Sequence, residues 1–561
     1  MLAFSAVILR LYNLTDIGIG GNDSILYFTI AEHWLNGDFT FHIGNSINVV
    51  RPVYHAYNAF ALALFDHQDY ALKVINALCD GANTLLVAYI ASLVSRRTLL
   101  VFAATLSYVL LPMAIWTARV ELPHTLSTFC TLVACAFLFK SLSADSFKRK
   151  LFLALCSGAA IGAAALTHEE LIFIAAGSTL LLLWHTHFEI KLPIYKTLTL
   201  GLVYACLPFI CIAALMFNQW QAITGALSLA GAVVSSPSNF GEKWLRFLWQ
   251  GTSGSTSPII AALYWLAVLM SVFEVIRKKP INTDIMSAHN HSLMLFCLWM
   301  PFLFISIFSL FFSTIFPRGL LPVVPLMLIG SWVFWLSKLQ RPPVVYAAVS
   351  TALIVCVVAN LASYSGFKVA NRKFGQSWAQ LDWPSKENIE LGLRDLSNSA
   401  NYNKNTYYNH WNHVYDALAV HVNTDHRLLL LPSVVFHAPG RRALQTQTYF
   451  GDDVIFRIDH TKESLEALIK AKNIRFILWT EGQLRGEPGS IAPYLYLGNW
   501  AESRAINLGS ELGIGAYDMR QEFTQLTELL RKLGARRETV FAPNTYEGVK
   551  TALWQLPPPE R

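Results

Sequence analysis

The chain has 561 residues, of which 54% are apolar and 14% charged, against roughly a quarter charged in an ordinary soluble protein. This composition excludes a soluble enzyme. The net charge of +7 is scattered along the chain and forms no basic stripe interleaved with aromatic residues, so no nucleic-acid partner is expected.

The charges divide the chain into two parts. Residues 1–364 carry 35 Asp, Glu, Lys and Arg residues, whereas residues 365–561 carry 44. We therefore predict a transmembrane domain at 1–364 and a soluble domain at 365–561. All eight cysteines lie in the first part and are interpreted as small core residues.

Apolar stretches of about 20 residues, the length that crosses a bilayer core, recur along the first part. Ten are predicted to span the membrane: 69–93, 98–118, 122–144, 151–166, 169–188, 198–218, 258–276, 292–315, 319–337 and 343–364. The apolar segment Met1–Tyr12 is too short to cross, and we interpret it as the second half of a first span whose start lies upstream. The expected architecture is a polytopic α-helical membrane protein of about 11 spans.

Basic residues indicate the orientation of these spans. Alternate loops and their flanks hold 13 of the 20 Lys and Arg residues of 1–364. Positive residues are retained on the cytoplasmic side, so the N-terminus is predicted to be cytoplasmic. With eleven spans, the C-terminal domain is then predicted to lie on the extracytoplasmic side. The protein is expected to be a multi-pass protein of the cell membrane, that is, the inner or plasma membrane.

Four charged residues on the opposite, extracytoplasmic face are candidates for a functional site. Asp23 lies in the first outer loop, Arg51 follows that loop, Glu121 begins a span beside Arg119, and Arg318 opens the tenth predicted span. An arginine at this depth can merely anchor a helix by snorkelling. Two arginines and two carboxylates on one face, however, suit a site that binds a lipid phosphate and performs acid–base chemistry on an attached sugar.

The motifs that contain these residues resemble those of one enzyme family. They are Arg10-Leu11-Tyr12, Asn22-Asp23-Ser24, Arg51-Pro52-Val53-Tyr54, Glu121 at the start of a span, and Arg318-Gly319-Leu320-Leu321-Pro322-Val323-Val324-Pro325. In their order and in their common side of the membrane, these motifs resemble those of the polyprenyl-phosphate-sugar-dependent glycosyltransferases of the GT-C fold. That group includes the aminoarabinose transferases acting on lipid A and the protein O-mannosyltransferases.

The resemblance implies an inverting sugar transfer from a polyprenyl-phosphate donor to an extracytoplasmic acceptor. Asp23 would be the general base, and Glu121 would hold the sugar or orient Arg119. The donor phosphate would be bound by Arg51, Arg318 and Arg119. Substrate contacts would come from Tyr54, His168 and Glu169, although His168 is equally well interpreted as a polar cap on a short turn. No cofactor is expected, and no metal is predicted because Ser24 replaces the second acid of the family's pair.

The second part of the chain shows the pattern of an α/β domain. Strands are predicted near 428–436, 474–480, 538–542 and 550–556, and helices at 461–473 and at 519–533, the latter ended by Gly534. No catalytic role is assigned to it.

A multi-span transporter or flippase of a lipid-linked or anionic substrate is the main alternative. Transporters place charged residues near the middle of the membrane, and Lys73 and Asp80 are the residues of this chain that would fit such a role. A non-catalytic scaffold would leave unexplained the placement of the four charged residues Asp23, Arg51, Glu121 and Arg318.

Overall fold

The structure is a computed structural model. It describes residues 1–11, 22–39, 51–65, 70–119, 121–218, 241, 244–245, 247–277, 288–311, 317–337, 344, 347–352, 355, 427–431, 474–483, 491–493, 528–541 and 550–557.

The first part of the chain is helical throughout its described residues. The helices are α1 (Leu2–Leu11), α2 (Asn22–Leu35), α3 (Pro52–Leu64), α4 (Ala71–Val94), α5 (Thr98–Val109), α6 (Pro112–Ala118), α7 (His124–Leu142), α8 (Phe147–Thr167), α9 (Ile172–Trp184), α10 (Ile194–Asn218), α11 (Thr252–Ser255), α12 (Pro258–Arg277), α13 (Ala288–Phe311) and α14 (Val324–Ser337). Short 3₁₀ turns lie at Glu169–Leu171 and Pro317–Leu320, and π-helical turns at His185–Glu189 and Phe247–Gly251.

Five helices of the described residues are long and apolar enough to cross a membrane. They are Ala71–Val94, His124–Leu142, Phe147–Thr167, Ile194–Cys211 and Asn290–Leu310. Five shorter apolar helices accompany them, among them α1 and α14. These helices coincide with nine of the ten predicted spans and with the segment Met1–Tyr12. Most of the predicted span 343–364 lies outside the described residues.

The predicted span 98–118 is wrong as a continuous helix. It is interrupted between Val109 and Pro112, which separates α5 from α6. Proline lacks the N–H that would continue the hydrogen-bond ladder and forces the preceding residue out of the helical region. Leu111 accordingly has ψ of 116°. The break turns the chain toward the loop that holds Arg119 and Glu121.

The bundle core is apolar and continuous from α3 to α14. Close backbone contact between α8 and α10 depends on glycine, because a side chain at Gly158 would collide with the backbone carbonyl of Tyr204. Gly162 lies one turn further along α8, where a Cβ atom would be 3.5 Å from Cα of Pro208. Small residues at this spacing allow membrane helices to pack by direct van der Waals contact.

A buried ion pair joins α1 to α4. Arg10 Nε lies 2.5 Å from Asp80 Oδ2, and both side chains have 0% exposure. Arg10 also donates a hydrogen bond to the carbonyl of Val109, at the end of α5 (3.0 Å). The other carboxylate oxygen of Asp80 accepts from the hydroxyl of Tyr108 (2.5 Å) and from the amide of Asn83 (3.3 Å). An isolated charge is very costly in a low-dielectric interior. The ion pair and these hydrogen bonds reduce that cost for the Arg10 guanidinium and the Asp80 carboxylate.

The described strands of the second part form one sheet. They are β1 (Arg427–Leu431), β2 (Ile474–Gln483), β3 (Ile491–Pro493), β4 (Arg536–Phe541) and β5 (Lys550–Gln555), in the order β1-β2-β5-β4, with β3 beside β2. The β1–β2 pair is parallel, whereas β2–β3, β2–β5 and β4–β5 are antiparallel. All four predicted strands are therefore present, and the predicted helix at 461–473 lies outside the described residues.

Gly534 ends a helix, as the sequence predicts. Residues 528–532 are helical, and Gly534 follows with φ of 72°, a conformation that glycine adopts at little cost. The amide of Gly534 donates to the carbonyl of Arg531, and that of Ala535 to the carbonyl of Leu530. This pair of hydrogen bonds is the Schellman arrangement that satisfies the last carbonyls of a helix.

Candidate active site

Residues from four separate segments meet at one end of the helical bundle. Arg51 immediately precedes α3, His124 begins α7, His168 follows α8, and Arg318 lies in the 3₁₀ turn before α14. The electrostatic neighbours of His124 are His168, Arg318 and Arg51. We use the name polar cluster for Arg51, Tyr54, His124, His168, Glu170 and Arg318.

Arg51 is anchored to α2 through an aromatic side chain. It is buried and donates a hydrogen bond to the hydroxyl of Tyr27, and its guanidinium carbon lies 5.9 Å from the centre of the Tyr27 ring. The ring of Tyr27 in turn meets that of Tyr54 edge to face, with centroids 4.9 Å apart. The N-terminal parts of α2 and α3 are thereby held together around the guanidinium.

Tyr54 lies one turn into α3 and is fully buried. Its burial, reinforced by the nearby Tyr27, raises the pKa of Tyr54 well above its usual value, so the phenol stays protonated. Glu121 and Arg51 are among its electrostatic neighbours. Tyr54 therefore lies between the cationic part of the cluster and the carboxylate that the sequence singled out.

His168 and Glu170 connect α8 to the turn that holds Arg318. The imidazole rings of His124 and His168 are 5.1 Å apart, and His168 Nδ1 lies 3.6 Å from Glu170 Oε2. The same carboxylate oxygen would be 3.6 Å from a Cβ atom placed on Gly319. Glu170 therefore lies directly against the Pro317–Leu320 turn.

Glu121 forms a buried ion pair with Lys73, which the sequence connected only with the transporter alternative. Its Oε1 atom lies 3.1 Å from Nζ of Lys73, and both side chains have 0% exposure. Lys73 is in the first turn of α4. This contact keeps the charge of Glu121 compensated while the carboxylate remains near Tyr54.

Arg119 contacts the end of α1. It caps the C-terminus of α6 and donates to the carbonyls of Arg10 (3.2 Å) and Leu9 (3.5 Å). A cation is favourable at a helix C-terminus, where carbonyls lack intrahelical partners. These contacts tie the Arg119–Glu121 loop to α1 at one end, while Lys73 holds its other end.

The side chains of Asp23 and Glu169 lie outside the part of the chain that the structure describes. The backbone of Asp23 is in the first turn of α2, and Glu169 opens a 3₁₀ turn. Asp23 occupies the position four residues before Tyr27, which is the same face of an α-helix. Its place on α2 is thus on the face that carries the contact to Arg51.

Sequence reasoning missed His124, Glu170 and Lys73. His124 and Glu170 stand at predicted span ends on the same face as Arg51 and Arg318, which is a signal that could have found them. For Lys73, the only signal in the sequence was a charged residue within a predicted apolar span. Among the described residues, no three His, Cys, Asp or Glu side chains are grouped so that they could hold a metal ion.

Known structures share this arrangement of helices, although no protein-family model and no curated protein matches the sequence. ArnT from Cupriavidus metallidurans bound to undecaprenyl phosphate matches with a TM-score of 0.58 at 12% identity, over 98% of this chain and 97% of that one. The apo state of ArnT gives 0.53 at 11% identity, over 85% and 91%. An apo oligosaccharyltransferase from Archaeoglobus fulgidus gives 0.49 at 10% identity, over 99% and 88%.

The chain therefore has the GT-C fold. This confirms the fold that the resemblance of the ordered motifs implies. ArnT from Cupriavidus metallidurans is one structure that it is similar to over nearly the whole of both chains.

Proposed function

We propose that this protein is an integral-membrane glycosyltransferase. It transfers a hexosyl or pentosyl group, with inversion, from a polyprenyl-phosphate donor to an acceptor on the extracytoplasmic side, which is a glycolipid, a glycan or a protein. The observation that carries the proposal is the convergence of Arg51 and Arg318, from distant parts of the sequence, on His124 at one end of the bundle.

The fold and the lipid phosphate of a similar structure support this assignment. ArnT shares the fold and was crystallised with undecaprenyl phosphate, the type of lipid that the proposed donor would release. Guanidinium groups match phosphate oxygens in geometry and keep their charge at any physiological pH. A pair of arginines at the end of a lipid-embedded bundle suits the headgroup of such a lipid.

The proposed reaction proceeds in one displacement. The acceptor hydroxyl oxygen attacks the anomeric carbon of the sugar, the carbon–oxygen bond to the phosphate breaks, and the hydroxyl proton passes to the carboxylate of Asp23. The bonding pair leaves with the polyprenyl phosphate, which gains one negative charge. Arg51, Arg318 and Arg119 would stabilise that growing charge, as preorganised donors do at an oxyanion site. Tyr54, His168, Glu169 and Glu121 would contact the substrates.

The buried charges argue against the transporter alternative. Lys73 and Asp80 are the residues that would suit a path across the membrane, and each has a partner of opposite charge, Glu121 and Arg10. Both pairs are fully buried. A charge pair of this kind holds helices together, whereas a transport path requires groups that exchange partners with a substrate.

Transfer by the purified protein tests the proposal. The protein in lipid nanodiscs would be incubated with a polyprenyl-phosphate sugar and an envelope extract as acceptor. We expect polyprenyl phosphate and a glycosylated acceptor to appear in equal amounts. Uptake of the lipid-linked substrate into proteoliposomes without sugar transfer and without release of lipid phosphate would instead establish a transporter and overturn the proposal.

We predict that Arg318→Ala weakens donor binding by at least about tenfold, since one charge-assisted hydrogen bond contributes roughly 1.5–3 kcal/mol. The measurement is the Kd for a polyprenyl-phosphate sugar by microscale thermophoresis. Arg96→Ala is the matched control, because Arg96 is an exposed arginine between α4 and α5. An unchanged Kd for Arg318→Ala would contradict the phosphate assignment.

A further inference from the structure

The polar cluster brings together groups that repel one another when they are charged. His124 and His168 lie with their rings 5.1 Å apart, and His124 has Arg318 and Arg51 as electrostatic neighbours. Like charges at such separations interact strongly where the effective dielectric constant is low. Two arginines beside two imidazole rings make this end of the bundle favourable for an anionic ligand.

Three acidic residues near the cluster have partners among the described residues. Glu121 is paired with Lys73, and Asp80 is paired with Arg10. Glu170 faces His168 through Nδ1 (3.6 Å). A carboxylate on one ring nitrogen fixes the orientation of an imidazole and directs its other nitrogen elsewhere.

The start of α7 adds to the attraction for an anion. His124 is the first residue of this 19-residue helix, so its backbone lies where the helix dipole favours negative charge. The histidine ring and the helix terminus therefore act on the same region. Together with the two arginines, they surround a region where α3, α7, the end of α8 and the Pro317–Leu320 turn meet.

We propose that His124 and His168 are two further ligands of the lipid phosphate, and that Glu170 positions His168 for this contact. The inference rests on the proposed function, since it assigns residues to the same donor site. Of the residues that the structure describes, Arg51, Arg318 and Glu170 are the charged groups shown to face the two rings. A proton taken up by His168 adds positive charge beside the phosphate, so affinity for the lipid phosphate rises as the pH falls through the imidazole range. His124 contributes as a neutral ring.

The test measures the Kd for a polyprenyl monophosphate in detergent micelles at pH 6 and pH 8. The probe itself takes up a proton near pH 6, and this contribution is common to the wild type and every variant. We expect His168→Gln to weaken binding at pH 6 by about tenfold, as for one charge-assisted hydrogen bond, and to weaken it less at pH 8. His124→Gln, which removes a neutral imidazole, should weaken binding at both pH values. Glu170→Gln should shift the Kd in the same direction, with partial recovery in Glu170→Asp.

Two controls separate this role from a general effect on folding. His185→Gln removes another buried histidine, one that is hydrogen-bonded to Ser292, and should leave the Kd and its pH dependence unchanged. His124→Gln and His168→Gln are independent variants, so poor folding of one leaves the other to decide. Wild-type Kd values and pH ratios in the folded variants would overturn the inference while the donor assignment to Arg51 and Arg318 stands. Failure of sugar transfer by the wild-type protein would instead overturn the proposed function.

Discussion

Replacement of Asp23 by asparagine is expected to abolish sugar transfer while the protein remains folded and binds its donor. Asparagine has nearly the same shape but cannot accept the acceptor's proton. A positioned general base contributes on the order of 10²–10⁴ in rate, and kcat should fall by that amount. The measurement is the release of polyprenyl phosphate per enzyme under saturating donor.

Asp38→Asn is the matched control for this variant. Asp38 follows α2, is partly exposed, and its Oδ2 lies 3.2 Å from Nδ1 of His33. It is therefore an acidic residue of the same region that the proposed mechanism leaves unused, and its variant should retain wild-type turnover. Retained turnover in Asp23→Asn, with donor affinity unchanged, would remove Asp23 from the mechanism.

Breaking the buried pair between Arg10 and Asp80 should destabilise the bundle strongly. Arg10→Met leaves the Asp80 carboxylate without its cation, and loss of one partner of a buried ion pair costs about 3–5 kcal/mol. Thermal unfolding in detergent, followed through the fluorescence of the 16 tryptophans, measures the effect. Because Asp80 also binds Tyr108 and Asn83, we expect α4 and α5 to loosen together.

The double variant distinguishes a broken charge pair from lost packing. Arg10→Met combined with Asp80→Asn leaves no unpaired charge, so it should be more stable than Arg10→Met alone. Lys140→Met serves as the control, because Lys140 is exposed and its ammonium group is 5.7 Å from the ring of Tyr89. Equal stability of the single and double variants would show that the unpaired charge of Asp80 does not cause the destabilisation in Arg10→Met.

The helices were largely predictable because the membrane imposes a simple rule on composition. A segment that crosses hydrocarbon must be long, apolar and internally hydrogen-bonded, and this rule can be applied one segment at a time. Pro112, which causes the break between α5 and α6, is visible in the sequence, but a proline alone does not predict that a span is interrupted. In membrane helices proline is tolerated in many positions, as Pro208 in α10 and Pro301 in α13 show.

The candidate site was predictable only in part. Arg51 and Arg318 stood out because few basic residues fall on their side of the bundle, and the structure brings both to His124. The partners of Glu121 and Arg119 were not predictable, since Lys73 and the carbonyl of Arg10 are distant in sequence. Which charges pair within a bundle depends on how the helices pack, and local sequence does not contain that information.

By itself, the sequence determined that this chain has an apolar helical part and that a different and more charged part follows, and it predicted which few charged residues lie on the less basic face. Composition decides these properties, because burial in lipid is a requirement on each segment separately. Only the tertiary structure decided that Glu121 is bound by Lys73, that Arg10 and Asp80 join α1 to α4, and that two histidines complete the surroundings of two arginines. Each of these depends on contacts between segments that are far apart in the chain, and packing alone brings them within reach.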